Sequence, residues 1–223
     1  MMNNIDIKNN FINQLKEKYK IIIGIVLFIF LLVIIFQVYF FYNNKKILDT
    51  SIVYNQIKSD LENNEFANLL NEISKDKNFY GVLAKIDIIN LKLNNNELES
   101  AYQDYITLLN QNNLDNLYKS AISIQASYNF LRLLSDKSNK NKLPEFNTKI
   151  TELLSFVDPS IDSYIGFNLE ILYLLSILEQ DFTNSLSLSN ESKNLYQQIQ
   201  EGDRVSAFIK ERVKKINDFQ KYK

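Results

Sequence analysis

The side chains of this sequence best placed to do chemistry are carboxylates. Glu97, Glu99 and Asp104 fall at the start of one predicted helix, a density that a divalent cation can use when the oxygens converge. Acidic residues in a first turn also complement the positive end of the helix dipole, and that is the reading taken here. Asp60 with Glu62, and Asp158 with Asp162, are further pairs. Acid–base catalysis needs one carboxyl in an apolar pocket and a basic or nucleophilic partner. Neither pair comes with such a partner, so both read as caps or solvated faces. The hydroxyl-rich stretch TNSLSLSNES, Thr183 to Ser192, resembles a phosphosite or a linker, but Leu186, Leu188 and the later Leu195 make it a polar-faced helix.

Composition removes most alternatives. There is no His and no Cys, which rules out a Ser-His-Asp triad, imidazole bases, disulfides and the usual zinc ligand sets. Gly24, Gly81, Gly166 and Gly202 stand alone, so neither a Walker A loop nor a dinucleotide fingerprint is present. A formal charge of −1, from 25 basic and 26 acidic residues, supplies no field for nucleic acid. No catalytic, cofactor-binding or metal residue is assigned, and no enzyme activity is expected.

These side chains must be positioned by elements that hydropathy and periodicity define. From Ile21 to Phe36 no polar side chain occurs, and beyond Gln37 the apolar character runs on to Tyr42. A helix of that length reaches about 33 Å, enough for a hydrocarbon core of roughly 30 Å. Tyr39 to Tyr42 suit an interfacial aromatic belt. A cleavable signal peptide has a shorter apolar core and a small-residue cleavage site, so residues 21–42 are expected to be an uncleaved signal-anchor. Lys8, Lys16, Lys18 and Lys20 precede it, against Lys45 and Lys46 just after. The positive-inside rule then makes residues 1–20 a cytoplasmic arm and sends the rest across the membrane. The second apolar run, Ile171 to Leu178, is too short to span.

After the span every pattern is helical. Residues 43–77 are expected to form connecting helices, Lys45 to Glu62 and Glu65 to Lys75. Phe79, Val82, Leu83, Ile86, Ile89 and Leu93 make one helical stripe; Leu98, Ala101, Tyr102, Tyr105 and Leu109 make the facing one. Asn96 with Glu99 has the spacing of a capping box. Further pairs are expected over about Asp115 to Phe156, with Pro144 in a first turn, and Pro159 to Ile199, with Asp158 as cap. The fold class is all-α, and about eight or nine helices are expected.

Tyr80, Tyr118 and Tyr164 each stand near the start of a pair, and the turn NNNELESA resembles EQDFTNS, placing Ser185 opposite Ala101. Residues 78–200 therefore read as a tetratricopeptide-like array of helical hairpins, although the intervals of 38 and 46 residues are irregular and depart from the usual repeat of about 34. An ordinary helical bundle with small residues at close crossings is the alternative. Residues 201–223 form a basic C-terminal helix, with Arg204, Lys210, Arg212, Lys214, Lys215, Lys221 and Lys223 alongside the stripe Val205, Phe208, Ile209, Val213 and Ile216. It reads as the cap of the array, or as a surface for anionic lipid or an acidic partner.

A basic arm with Lys18-Tyr19-Lys20, a span ending in aromatics, a helix near ILDTSIVYNQIKSDL and then FYGVLAKIDIINLKLNNNELESAYQDYITLL resemble the YfgM-like ancillary subunits of the Sec translocon. The likeness covers most of residues 15 to 200, with Tyr or Phe where that family has Trp. It implies a bacterial inner-membrane protein with a periplasmic tetratricopeptide-like domain. The implied partners are the Sec translocon, periplasmic chaperones and secretory chains. The alternative is a structural scaffold for an envelope complex.

Overall fold

The computed structural model describes residues 4–59, 66–136, 138–183 and 189–220, and among them every regular element is helical. The chain divides into two compact units, Met1–Gly81 and Val82–Lys223.

In the first unit, helix α1 (Asn4–Ser59) runs unbroken for 56 residues, about 84 Å at the usual rise. The expected break between the span and a second helix at Lys45 does not occur. No Gly or Pro lies between Gly24 and Gly81, and Asn43 with Asn44 lowers helix propensity by only about 0.7 kcal/mol per residue, too little to stop a helix already propagating. Near the end of α1, Tyr54 and Ile57 are buried, as are Leu70 and Ile73 of helix α2 (Phe66–Ile73), which packs on α1. Around this contact Lys46 Nζ pairs with Asp76 Oδ1 at 2.8 Å, and the Thr50 hydroxyl reaches Asp76 Oδ2 at 2.9 Å. Asn78 caps the next helix by accepting from the Gly81 N–H at 3.0 Å. A Cβ at Gly81 would stand 2.0 Å from the Asp76 carbonyl oxygen, so this tight turn requires glycine.

The hydrogen bond from Lys46, with that from Thr50, holds the Asp76 carboxyl below its ordinary 3.8. A depressed carboxylate contributes stability above its unfolded value and loses it as pH falls through the folded one. The methyl resonances of Leu70 and Ile73 should therefore keep their native positions down to about pH 4 and lose dispersion below it. Asp76→Asn should show part of that loss already at neutral pH, with little further change on acidification.

Helix α3 (Phe79–Asn94) crosses the division between the units. The second unit continues with α4 (Leu98–Leu109), α5 (Asn116–Leu134), α6 (Leu143–Leu154), α7 (Asp162–Thr183), α8 (Asn190–Glu201) and α9 (Ala207–Gln220). Asn96 does not make the expected capping box. It sits at φ 62°, while the Glu97 N–H donates to the Lys92 carbonyl at 2.9 Å and the Asn96 N–H to Leu93 at 3.0 Å. Asparagine tolerates the left-handed conformation, so it is used to end α3, leaving Glu97 as an N-cap of α4 whose side chain makes no capping bond. Asp115 caps α5 by accepting from Leu117 N–H at 2.8 Å, and Pro144 lies in the first turn of α6.

Asp158 and Pro159 also depart from expectation. The Asp158 carboxylate accepts from Ser160 N–H and Oγ at 2.9 and 2.7 Å. It thereby closes a turn, and α7 starts at Asp162 rather than Pro159. The last helix also begins late, because α8 extends to Glu201 and Arg204 with Val205 lies in the connection.

Helix α5 runs through the larger core of this unit. Ser120, Ser123, Ala126 and Ser127 are buried along it, and small side chains let neighbouring backbones approach closely. Ser123 Oγ donates to the Leu153 carbonyl, and Ser120 Oγ accepts from the Asp158 N–H at 2.9 Å. Helices α5, α6 and α7 pack pairwise, as do α7, α8 and α9, while α4 packs on α5. One apolar core runs from Val82 to Leu175. A smaller one joins Tyr173, Ile177 and Ile199 to Val205, Ile209 and Val213. All five stripe residues expected on α4 are buried; of the α3 stripe, Phe79 is exposed.

Candidate functional site

The acidic cluster is dispersed by its partners. Glu99 pairs with Lys149 of α6, which also meets Glu145 at 2.5 Å, while Asp104 meets Lys92 at 2.5 Å. Glu97 accepts from the Asn95 amide at 3.3 Å. Three carboxylates thus serve separate contacts, and no group of three metal-ligating side chains is found among the described residues. Lys149 lies over the rings of Tyr102 and Phe146, at 5.3 and 4.6 Å from their centroids, which ties α4 to α6. Burial, with the Glu152 carboxylate accepting its proton, pushes the Tyr102 hydroxyl well above the usual tyrosine range.

Asp158 takes a further hydrogen bond from the Asn116 amide at 3.0 Å, and Asp162 pairs with Arg204. Asp60 and Glu62 lie outside the described residues, as do Ser185, Leu186 and Leu188. The Thr183 to Ser192 stretch is not one described helix. Thr183 ends α7, and Ser189 is the N-cap of α8, accepting from Ser192 N–H at 3.0 Å. Ser192 is buried and donates to Ser176 Oγ at 2.9 Å.

Two carboxylate sites on α7 lie where the sequence reading assigned none. Burial, and then the charge of Glu191, raises the Glu179 carboxyl above the usual range, the direction a general acid needs. Its hydrogen bond comes from the Asn147 amide, which cannot exchange a proton with it. Deeper in the unit, Glu170 of α7 is 1% exposed. Its carboxylate accepts from Arg212 Nε of α9 at 2.5 Å, from Arg212 Nη2, and from the Tyr128 hydroxyl of α5 at 2.6 Å. Burial, followed by the hydrogen bond to Glu170, pushes the Tyr128 hydroxyl far up, and the hydrogen bond to Glu170 raises Arg212.

Such a network keeps Tyr128 protonated and Arg212 charged, and it clamps three helices. Both carboxylate oxygens are engaged within it. One signal was available: Glu170 is the lone acid in the apolar run from Ile165 to Leu178, and a carboxylate among core positions must find a cation. Tyr173 is a lesser case; burial first, with Tyr196 and Asp218 nearby, pushes its hydroxyl up to about 12.

Among the described residues, most of the exposed large apolar side chains lie on α1. Among the described side chains from Ile21 to Tyr42 none is buried, and the large apolar ones are between 45% and 73% exposed. The 18-residue window at its centre has a mean hydropathy of 3.3, so α1 is long and apolar enough to cross a membrane. Ile171 and its neighbours, by contrast, are core residues of α7. No protein-family model, curated protein or solved structure matches this chain.

Proposed function

We propose that this chain is a membrane-anchored protein-interaction module without catalytic activity. In this reading α1 crosses a bacterial inner membrane with residues 1–20 on the cytoplasmic side. The helices beyond it form a tetratricopeptide-like stack in the periplasm. The domain serves as an ancillary part of the Sec translocon, passing secretory chains to periplasmic chaperones.

The observation that carries the reading is the exposed apolar length of α1. A helix in a soluble core would bury this surface; some twenty apolar side chains left open in water would be an aggregation site far beyond the few hundred Å² a soluble monomer tolerates. Lipid is the solvent that removes the cost. The lysine bias across residues 8–20 favours that orientation. Support for a stacked array comes from two trios of pairwise-packed helices that share α7, namely α5, α6, α7 and α7, α8, α9; stacked hairpin repeats build extended surfaces from such contacts. Support for a binding role comes from two observations: the buried Glu170 carboxylate is committed to Arg212 and Tyr128, and Leu117 with Tyr118 at the start of α5 is about half exposed.

Two measurements test this. A reporter that matures only outside the cytoplasm, fused after Lys223, should be active, and activity from a cytoplasm-only reporter instead would reverse the orientation. Photocrosslinking from positions 117 and 118 should capture translocon subunits and secretory chains in transit. Capture of a resident envelope complex without transit chains would replace the client-handling role with that of a scaffold.

A further inference from the structure

Helix α9 has one face in the smaller core and another that is open. Ile209, Val213 and Asn217 are buried against the unit, and a Cβ at Gly166 of α7 would stand 2.8 Å from Ile209 Cδ1, so α9 lies close on α7. On the opposite side Phe208 and Phe219 are 64% and 65% exposed. Eleven residues apart, they project within about 20° of each other and about 16 Å apart along the axis. Lys215 falls on the same line between them, Lys214 is exposed about 100° round the helix from it, and the Arg212 guanidinium lies 4.9 Å from the Phe208 ring centroid.

The charge of this region is predominantly basic, although Arg204 and Arg212 are paired with Asp162 and Glu170. From Arg204 to the end the sequence has seven basic residues and two acidic ones, in a chain whose net charge is −1. One of those acids, Glu211, is paired with Lys215 at 2.8 Å. Two rings on a single line with cations between and beside them do not form the contiguous apolar patch that a protein interface buries at its centre. They match a headgroup layer, where an aromatic ring enters the acyl boundary and an ammonium stays with the phosphates.

We propose that the open face of α9 docks on the anionic lipid surface of the membrane that α1 enters, with Phe208 and Phe219 inserted at the headgroup boundary and Lys214 and Lys215 against lipid phosphates. The inference rests on the reading of α1 as a span. Two rings and two lysines bind weakly as a free helix; on a chain already held at the bilayer the contact is intramolecular, and the effective concentration supplied by the tether populates it. The domain is then held against the bilayer at a second place.

Because the chain has no tryptophan, Phe208→Trp, Phe219→Trp and Phe30→Trp each install a single indole. Each full-length variant is placed in nanodiscs with brominated acyl chains, made either of phosphatidylglycerol with phosphatidylcholine or of phosphatidylcholine alone. The indole at position 30 should be quenched in both, which reports the span. Those at 208 and 219 should be quenched in the anionic discs and much less in the neutral ones. Lys214→Glu with Lys215→Glu, both at exposed positions, should lower the docking constant by about tenfold or more at unchanged helical content. Quenching at 30 without quenching at 208 and 219 in anionic discs overturns the proposal and leaves the span standing. Absence of quenching at 30 removes the span and this inference with it. Equal quenching in neutral and anionic discs, unaffected by the lysine changes, overturns the electrostatic docking. A blue-shifted but unquenched indole at 208 or 219 overturns it in favour of a protein, or a second copy, covering the face.

Discussion

Phe130→Ala should cost the second unit about 4 kcal/mol of unfolding free energy. Phe130 is fully buried and stands where three rings meet. Its centroid is 6.4 Å from Tyr102 and 6.1 Å from Tyr105, both edge-on, and 5.3 Å from Phe146. Truncation removes the transfer free energy of a large side chain and leaves a cavity that helices α4, α5 and α6, pinned by Lys149 and by the Ser123 bond, have little freedom to fill. Each aromatic pair adds about 0.5–1.5 kcal/mol beyond area. For a domain of this size a loss of about 4 kcal/mol lowers the melting temperature by about 10 °C, and it consumes a large share of a typical stability of about 5–15 kcal/mol. Phe219→Ala, on an exposed face, should stay within about 0.5 kcal/mol. Denaturant midpoints of the two variants compare them directly; equal effects would mean that the core is not centred where α4, α5 and α6 converge.

The second large effect is expected at the clamp between α5, α7 and α9. Arg212→Ala leaves the Glu170 carboxylate buried with only the Tyr128 hydroxyl as partner. Stranding one member of a buried pair costs about 3–5 kcal/mol. The low end applies, since the Arg212 side chain is 38% exposed and water can reach part of the gap. The combined variant Tyr128→Phe, Glu170→Leu and Arg212→Leu removes every polar member together, and it should come within about 1 kcal/mol of the parent because no charge is stranded. Amide exchange should show where the damage falls. In Arg212→Ala the protection of α9 should fall first, because its remaining hold is the smaller core around Ile209 and Val213. If the single and triple variants are equally unstable, packing rather than charge satisfaction holds α9.

How these features stood in the sequence varies with their physical origin. The apolar length of α1 is a compositional fact and needs no tertiary information. The α4 stripe was legible because each of Leu98, Ala101, Tyr102, Tyr105 and Leu109 obeys one helical period. Element ends were less legible. Asn96 can start a helix through its side chain or end one through its backbone, and the local spacing to Glu99 did not say that α3 needed a left-handed terminator. Asp158 and Pro159 could likewise begin a helix or build a turn, and the bond from Asp158 N–H to Ser120, 38 residues away, goes with the turn. The continuity of α1 through Asn43 was obscured by reading a change of hydropathy as a change of structure. The Glu170 clamp joins α5, α7 and α9 across 42 and 84 residues of chain, a distance over which no local pattern carries information.

The most direct test of the account is recovery of partners from membranes with the intact chain, a chain carrying a foreign anchor, and Ala101→Glu. Ala101 is fully buried in α4, and a carboxylate there is unpaired and desolvated, so it should disorder the surrounding helices. At equal abundance in mild detergent, translocon subunits and periplasmic folding factors should come with the intact chain, survive in part when the anchor is exchanged, and be lost with Ala101→Glu. Recovery of a different envelope complex by the intact chain, with no translocon component, would contradict the proposed role.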